Sequence, residues 1–200
     1  TSEQEVIRMV DAAKERFGRL DGACNAAGRP SCSKYTHEIS AEEWDECFAV
    51  NLRGLFFSMK YQIEAMLPTG GGSIVAIGSN AAQIAFRKGS DYCAMKSGVM
   101  GLVRGAALDY AQEGIRVNAV LPGCTSTPML HGAFVTDDGL KDALMATLPM
   151  KRFAKVEEIA GAVRAQAEED RQHQEVRAWR LGTESTRDRA ASSVPRRRRC

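Results

Sequence analysis

A tyrosine and a lysine four residues apart are the residues of this sequence that best indicate an active site. Tyr92 and Lys96 are separated by about one helical turn, so in a helix both side chains project from the same face. An ammonium beside a phenol favours the phenolate and lowers a pKa that is ordinarily about 10. A tyrosine with a lowered pKa can act as a general acid or base. We therefore expect Lys96 to lower the pKa of Tyr92.

A serine strengthens this interpretation. Ser79 comes just after the apolar run 73–77, thirteen residues before Tyr92. That run is typical of a buried strand, and open α/β sheets bind ligands at the carboxyl ends of their strands. The Ser79 hydroxyl could then hydrogen-bond the same substrate oxygen that Tyr92 protonates. The tyrosine and lysine alone would fit a partly exposed helix surface better than an active site.

Alternating helices and strands are predicted to position these residues. Apolar residues recur at helical spacing over 2–17, 41–67 and 91–112, and buried strands are predicted at 20–26, 73–77 and 115–121. Shorter helices are predicted at 137–148 and from 156 onward. Capping boxes are predicted at Ser2 with Glu5 and at Ser40 with Glu43. Apolar strands that alternate with helices favour an α/β fold with a parallel sheet.

Some residues in these elements call for a specific explanation. Asn51 lies among apolar residues, where an unsatisfied amide is costly, so we expect it to have a defined partner. The helix 91–112 contains three glycines, each costing about 1 kcal/mol relative to alanine. They are Gly98, Gly101 and Gly105, and close approach of a helix or ligand is expected there. Glycines 70–72 precede a strand, which predicts a turn instead of a phosphate-binding loop.

The tyrosine, lysine and serine resemble the active-site motif of the short-chain dehydrogenase/reductase family. Further segments are similar to that family's motifs and follow its order along the chain. They are Asn25-Ala26-Ala27-Gly28, Val50-Asn51-Leu52, the run from Asn118 through Pro122 to Gly123 with Thr127-Pro128, and Arg152-Phe153-Ala154 with Glu157-Glu158-Ile159-Ala160. Val156 stands where the family usually has proline. Together these motifs cover residues 1–163.

The resemblance implies a partial Rossmann-like, doubly wound parallel sheet and hydride transfer between NAD or NADP and an alcohol/carbonyl pair. The implied catalytic residues are Asn51, Ser79, Tyr92 and Lys96. In this scheme Tyr92 is the general acid–base and Ser79 orients the substrate oxygen. Lys96 holds the cofactor ribose, and Asn51 holds a water that connects Lys96 to solvent. The implied cofactor-binding residues are Asn25, Ala27, Gly28, Tyr92, Lys96, Pro122, Gly123 and Thr127.

Two parts of the family pattern are not matched in this sequence. One is the N-terminal glycine-rich turn, T-G-x-x-x-G-x-G, at which pyrophosphate meets a helix N-terminus. The other is the C-terminal strand. The alternative to an active enzyme is therefore a truncated, non-catalytic fragment or isoform that acts at most as a binding module. A sheet shortened in this way exposes an edge and apolar faces, so we expect the chain alone to be unstable or prone to aggregation.

Charge divides the chain in two. Residues 1–163 carry 17 Lys+Arg and 19 Asp+Glu, whereas residues 164–200 carry 10 Arg and 6 acidic residues. We therefore expect a partial dehydrogenase domain over 1–163 and an arginine-rich tail over 164–200 that is disordered or read out of frame. Acidic residues are interleaved with the arginines, which disfavours a nucleic-acid site.

Composition also disfavours several other classes of protein. No apolar run is long enough for a membrane helix, and no secretory signal is visible, so we expect a cytoplasmic location without membrane association. The six cysteines form no C-x-x-C pair, which predicts reduced thiols and no metal site. The expected partner is a small alcohol or carbonyl compound. Similar proteins also suggest a homo-oligomer through helices 41–67 and 91–112.

Overall fold

The computed structural model describes residues 2–136 and 139–168, so most of the predicted tail lies outside the described residues. The strands are β1 (Gly22–Asn25), β2 (Gly72–Ile77) and β3 (Ile115–Val120). The α-helices of the described part are α1 (Glu3–Phe17), α2 (Ala41–Phe48), α3 (Gly54–Met66), α4 (Ser90–Asp109), α5 (Pro128–Thr136), α6 (Leu140–Thr147) and α7 (Val156–Glu168). The α/β architecture is confirmed.

The three strands form a parallel sheet in the order β1-β2-β3. Gly22 lies opposite Ser73, and Gly72 lies opposite Ile115, so all three carboxyl ends meet at one edge of the sheet. β2 is the central strand, and its residues Ile74 to Ala76 are at most 1% exposed. The predicted parallel sheet is therefore confirmed.

Helices cover both faces of this sheet. Ile115 and Val117 of β3 belong to a core cluster that also contains α3 and α4 side chains. Arg116 alternates with them and hence points to the opposite face. There its guanidinium donates to the carbonyls of Gln166 and Ala167, at 2.9 and 2.7 Å, in the last turn of α7. The helix layers therefore agree with a doubly wound arrangement.

One of the two predicted capping boxes is present. The Ser40 hydroxyl accepts from the Glu43 amide at 3.2 Å, and the Glu43 carboxylate accepts from the Ser40 amide at 3.0 Å. The prediction for Ser2 is wrong, because its side chain makes no capping hydrogen bond to α1. Gly18 ends α1 with a positive φ of 80°, as expected for a C-terminal glycine.

The predicted helix 41–67 contains a π-helical turn. Residues Ala49–Arg53 separate α2 from α3, and the Gly54 amide donates to the Ala49 carbonyl five residues back. This extra residue shifts the helical phase between the two halves. Trp44 is consequently 37% exposed although it shares the predicted apolar stripe with Met59, which is 2% exposed. The single continuous helix predicted from sequence is corrected in this respect.

Glycine fixes the turn before β2. Gly71 has φ of 104°, and a side chain there would collide with the Gly114 carbonyl. In α4, a Cβ on Gly98 would lie 2.9 Å from a Leu52 methyl, which confirms close packing of the π-helical turn at that position. Gly101 and Gly105 face open space within the described chain, so the same expectation is not met for them.

The C-terminal elements differ most from the sequence prediction. α5 was not predicted, and α7 continues to Glu168, beyond the point where the sequence pattern ends at Val163. Thr125 and Ala154 form an isolated parallel bridge at the base of this region. In the part of the chain that the structure describes, no helix is long and apolar enough to cross a membrane.

Candidate active site

Three of the predicted site residues lie at the carboxyl edge of the sheet. Asn25 ends β1, Ser79 follows β2, and Pro122 follows β3. Two backbone hydrogen bonds tie the strand ends together beyond the sheet. The Gly78 amide donates to the Val120 carbonyl at 2.8 Å, and the Asn80 amide donates to the Pro122 carbonyl at 3.0 Å.

Tyr92 lies in the first turns of α4 and contacts Ser79. Burial raises the pKa of Tyr92, and the neighbouring Ser79 side chain offsets this only in part. The expectation that Lys96 lowers the pKa of Tyr92 is therefore wrong. The Lys96 ammonium lies 5.6 Å from the centre of the Tyr92 ring, over its face. Tyr92 is consequently a protonated phenol at neutral pH.

Lys96 is a buried cation one turn further along α4. Its side chain is 5% exposed, and its Nζ donates to the Ile77 carbonyl at the end of β2, at 2.9 Å. Burial lowers the pKa of Lys96 to about 8. The lysine thus holds its proton at neutral pH but can release it at a small cost.

Asn51 has the defined partners that its burial requires. It lies in the π-helical turn, is 3% exposed, and donates to the Cys47 carbonyl at 2.9 Å. Its carbonyl oxygen accepts from the Arg29 amide at 3.0 Å, and its amide donates to the Arg29 carbonyl at 3.3 Å. Asn51 therefore anchors the loop that follows β1. A Cβ on Gly28 would lie 2.8 Å from the Asn51 Oδ1, so glycine is needed for this approach.

Asn25, at the end of β1, is held by Gln62, a residue that the sequence analysis did not identify. Its side-chain amide makes two reciprocal hydrogen bonds with Gln62 of α3, both at 2.9 Å. Gln62 is 4% exposed. It lies between apolar residues in the sequence, as Asn51 does, so the same argument about a buried amide could have found it. This pair fastens the end of β1 to α3.

Asp91 is the second residue that sequence reasoning missed. Its carboxylate is fully buried at the N-terminus of α4, directly before Tyr92. Burial would raise the pKa of Asp91, but hydrogen bonds from the Ser31 hydroxyl and the backbone amides of Cys32 and Tyr92 outweigh it and lower the pKa. Asp91 is therefore a buried carboxylate that is fully hydrogen-bonded.

The residues expected on the cofactor side lie along the same edge. Ala27, Gly28 and Gly123 are exposed, whereas Pro122 and Thr127 are half-buried. The Thr127 hydroxyl accepts from the Leu130 amide at 3.3 Å and so caps the first turn of α5. These positions follow the carboxyl ends of the strands, where open α/β sheets bind ligands.

Five of the six cysteines lie in the part of the chain that the structure describes. Cys24, Cys32, Cys47, Cys93 and Cys124 are free thiols. Burial raises the pKa of Cys124, which disfavours the thiolate. Among residues 2–136 and 139–168, no cluster of histidine, cysteine and acidic side chains is arranged to hold a metal ion.

Sequence comparisons show that the chain is similar to proteins named as dehydrogenases and reductases. A family profile described as enoyl-(acyl carrier protein) reductase matches residues 1–172. The 2,5-dichloro-2,5-cyclohexadiene-1,4-diol dehydrogenase of Sphingobium indicum is 40% identical over 161 residues, which are 80% of this chain and 64% of that protein. Cyclohexanol dehydrogenase of Acinetobacter sp. is 39% identical over 165 residues, 82% of this chain and 63% of the relative. The chain thus spans less than two thirds of the length of both relatives.

Structural comparisons agree with the sequence comparisons. The crystal structure of levodione reductase matches with a TM-score of 0.81 and 33% identity, covering 88% of this chain and 70% of the other. The structure of ElxO with NADP bound matches with a TM-score of 0.78 and 29% identity, covering 84% and 68% of the two chains. Both likenesses extend beyond the three-stranded sheet to most of the described chain.

Proposed function

This chain belongs to the short-chain dehydrogenase/reductase family, and from that premise we propose that it transfers a hydride between NAD or NADP and an alcohol/ketone pair. The observation that supports this most is the position of Tyr92. Its phenol lies at the carboxyl edge of the sheet, in contact with Ser79 and with the Lys96 ammonium over its ring. A proton donor, a hydroxyl that can orient an oxygen, and a cation are thus grouped where open α/β sheets bind ligands.

The residues at this edge fit a nicotinamide cofactor. Within the described residues the Lys96 ammonium has one hydrogen-bond partner, the Ile77 carbonyl, so two of its three N–H donors can serve ribose hydroxyls. The exposed backbone of Ala27 and Gly28 would hold the adenosine side, and Pro122, Gly123 and Thr127 would hold the nicotinamide side. Hydride donation or acceptance is the chemistry that the bound cofactor supplies.

Tyr92 is the general acid of this scheme in the direction of ketone reduction. Its raised pKa keeps the phenol protonated at neutral pH, so it can donate a proton to the carbonyl oxygen as negative charge develops there. The Ser79 hydroxyl donates a second hydrogen bond to the same oxygen. Both groups come from rigid positions, the first turns of α4 and the end of β2.

Lys96 is suited to return the proton to Tyr92. A group with a pKa of about 8 is protonated at neutral pH and can still lose its proton without a large cost. We assign Asn51 to the path from Lys96 to solvent, through a water held at the π-helical turn, as the family resemblance implies. In the proposed reaction, Tyr92 and Lys96 thus pass on one proton for each hydride, and the water held at Asn51 connects Lys96 to solvent.

The proposed substrate is a secondary alcohol or ketone on an apolar ring. Phe86 lies 6.3 Å from Tyr92 between ring centres and is 49% exposed, and Ile84, two residues before Phe86 in the chain, is 59% exposed. These side chains give the phenol an apolar neighbourhood. Two similar proteins are named for alcohols of six-membered rings. Cyclohexanone and cyclohexanol are therefore suitable probes.

A homo-oligomer through the helices of 41–67 and 91–112 is also proposed. Phe56 on α3 and Leu108 on α4 are large apolar side chains with 45% and 57% of their surface exposed. A Cβ on Gly105, one turn before Leu108, would have open space around it. The two helices thus present apolar surface to solvent.

The test of the proposed function is cofactor binding combined with turnover of the 200-residue chain. Titration with NADH and NADPH, followed by nicotinamide fluorescence, is expected to show saturable binding of at least one. Tyr92→Phe is expected to retain saturable cofactor binding and to reduce cyclohexanone about 10²–10⁴-fold more slowly, because the general acid is lost.

Tyr110→Phe is the matched control, because Tyr110 lies at the other end of α4. It is expected to keep the wild-type rate. Absence of binding to either cofactor would contradict the proposal and favour the non-catalytic fragment. Undiminished turnover in Tyr92→Phe would contradict the role of Tyr92.

A further inference from the structure

Asp91 is a buried charge that the proposed reaction does not use. Its side chain is fully buried, yet it is ionised, since its pKa is lowered by the hydrogen bonds that it accepts. The Ser31 hydroxyl donates at 2.6 Å and the Cys32 amide at 3.0 Å. A buried carboxylate is tolerated only with such partners, and removing them leaves a costly unpaired charge.

The partners of Asp91 lie in the same loop that Asn51 holds. Asn51 binds the backbone of Arg29 on both sides, through its carbonyl oxygen and its amide. Asp91 binds Ser31 and Cys32, two and three residues further on. The segment 28–32 is therefore fastened at one end to the π-helical turn and at the other end to the helix that carries Tyr92.

Further contacts extend this attachment along the loop. The Ser31 hydroxyl also lies 3.2 Å from the Lys88 carbonyl, and the Thr36 hydroxyl donates to the Ser90 hydroxyl at 3.0 Å. Ser33 and Lys88 have positive φ values of 57° and 59°, a backbone conformation that residues other than glycine seldom adopt. Fixed contacts are needed to hold both segments in this shape.

The geometry points to Asp91 as a positioning residue that holds the loop 29–36 as a fixed wall on the substrate side of the site. The substrate-side role of the loop rests on the proposed function, whereas the attachment of the loop to Asp91 does not depend on it. The loop begins at the carboxyl end of β1, beside Asn51, and ends against the segment that precedes Tyr92. It thus borders the same edge of the sheet as the phenol.

Asp91 acts through the loop and not through the phenol. Successive side chains of a helix point about 100° apart, so Asp91 and Tyr92 face different directions. Loss of Asp91 is consequently expected to loosen the loop and weaken substrate binding, with little effect on the proton transfer itself. This pattern separates a positioning role from a general loss of structure.

The experiment is amide hydrogen exchange of the full chain together with steady-state kinetics. In Asp91→Ala the exchange of amides 29–36 is expected to rise about tenfold or more, since hydrogen bonds to a charged group are lost. Amides of the core strand β2 are expected to exchange as in the wild type. The KM for cyclohexanone is expected to rise about tenfold while kcat changes less than about threefold.

Two variants act as controls. Asp109→Ala removes an exposed carboxylate from the other end of α4 and is expected to change neither measurement. Asp91→Asn keeps the shape of the side chain and can pair with both the Cys32 amide and the Ser31 oxygen. It is expected to restore most of the protection of amides 29–36.

The outcomes are distinct. Unchanged exchange of 29–36 in Asp91→Ala would overturn the inference, and so would equal loss of protection in Asp91→Asn. Faster exchange with an unchanged KM, or a fall in kcat alone, would overturn the substrate-side role. Absence of turnover in the wild type would contradict the proposed function, and exchange would then decide whether Asp91 holds the loop. If Asp91→Ala does not fold, Ser31→Ala is expected to raise exchange of 29–36 about threefold, and no rise would overturn the inference.

Discussion

At the scale of single residues, burial controls the electrostatics of the site more than the pairing of Tyr92 with Lys96 does. Burial raises the pKa of the phenol and lowers the pKa of the ammonium, so both shifts favour the neutral form. The spacing of Tyr92 and Lys96 in the sequence indicates only the attraction between the two groups. It could not indicate desolvation, because the depth at which α4 holds these side chains is a property of the fold.

The lowered pKa of Lys96 predicts a dependence of stability on pH. Between pH 8 and about 10.5, Lys96 is deprotonated in the folded chain and still protonated in the unfolded chain. The unfolded state then holds more protons, so stability rises with pH over this interval. Relative to Lys96→Met, the wild type is expected to gain about 1–3 kcal/mol in free energy of unfolding between pH 7 and 10.

Urea denaturation at several pH values measures this difference. Lys141→Met, which removes an exposed lysine, is expected to track the wild type at every pH. A constant difference between wild type and Lys96→Met across the range would contradict the lowered pKa.

The residues of the candidate site that stand at characteristic separations along the chain could be predicted from the sequence. Ser79, Tyr92 and Lys96 are found from their separations and the strand before them, and the structure brings Ser79 and Lys96 to Tyr92. Asp91 was missed because an acidic residue in the first turn of a helix is common on electrostatic grounds alone. Only the fold shows that this carboxylate is fully buried and reaches a loop sixty residues earlier in the chain.

At the scale of elements, apolar periodicity predicts where the strands and the long helices lie. It does not predict which side chains of α2 and α3 share one face. The π-helical turn Ala49–Arg53 adds one residue, so no single pattern of spacing fits both α2 and α3. α5 was missed because its apolar residues do not favour one face. The end of α7 was missed because its last turn is held by a distant strand residue.

The contact of Arg116 with α7 leads to a prediction about stability. Arg116 donates to two carbonyls in the last turn of α7, which an α-helix leaves without internal partners. Arg116→Met keeps much of the aliphatic volume and removes both bonds. It is expected to lower the free energy of unfolding by about 1–2 kcal/mol and to speed amide exchange in residues 163–168.

Urea denaturation and hydrogen exchange measure these effects. Arg104→Met removes an exposed arginine from α4 and is the matched control, with no change expected in α7. Unaltered stability and exchange in Arg116→Met would show that the carbonyls are equally well served by water.

At the scale of the whole molecule, the residues that the structure describes have much apolar surface that no other described residue covers. Within the described residues β1 is an edge strand of a three-stranded sheet, and Phe56 and Leu108 are exposed on long helices. Exposed strand edges and apolar patches favour association. The expected tendency of the chain to associate therefore has a structural basis in α3 and α4.

Sedimentation velocity at increasing protein concentration tests this prediction. The wild type is expected to form dimers or larger species, and Leu108→Glu is expected to shift the distribution towards the monomer, because a charge placed at an apolar interface must be desolvated. Val135→Glu changes a side chain that is 84% exposed on α5 and is expected to leave the distribution unchanged. A wild-type monomer with cooperative thermal unfolding would contradict the expectation.

Because Thr125 and Ala154 form a bridge, the segment between them could be replaced as a whole by another segment. The two ends of this region are held by backbone hydrogen bonds, from the Ser126 amide to the Ala154 carbonyl at 2.9 Å and from the Ala154 amide to the Cys124 carbonyl at 3.0 Å. Backbone bonds do not depend on which side chains the intervening segment carries, and closing a longer segment costs only about 0.6 kcal/mol per doubling of its length. Residues 128–153 could therefore be replaced by the corresponding segment of a relative, of different length and composition, while Ser79, Tyr92, Lys96 and Thr127 stay in place.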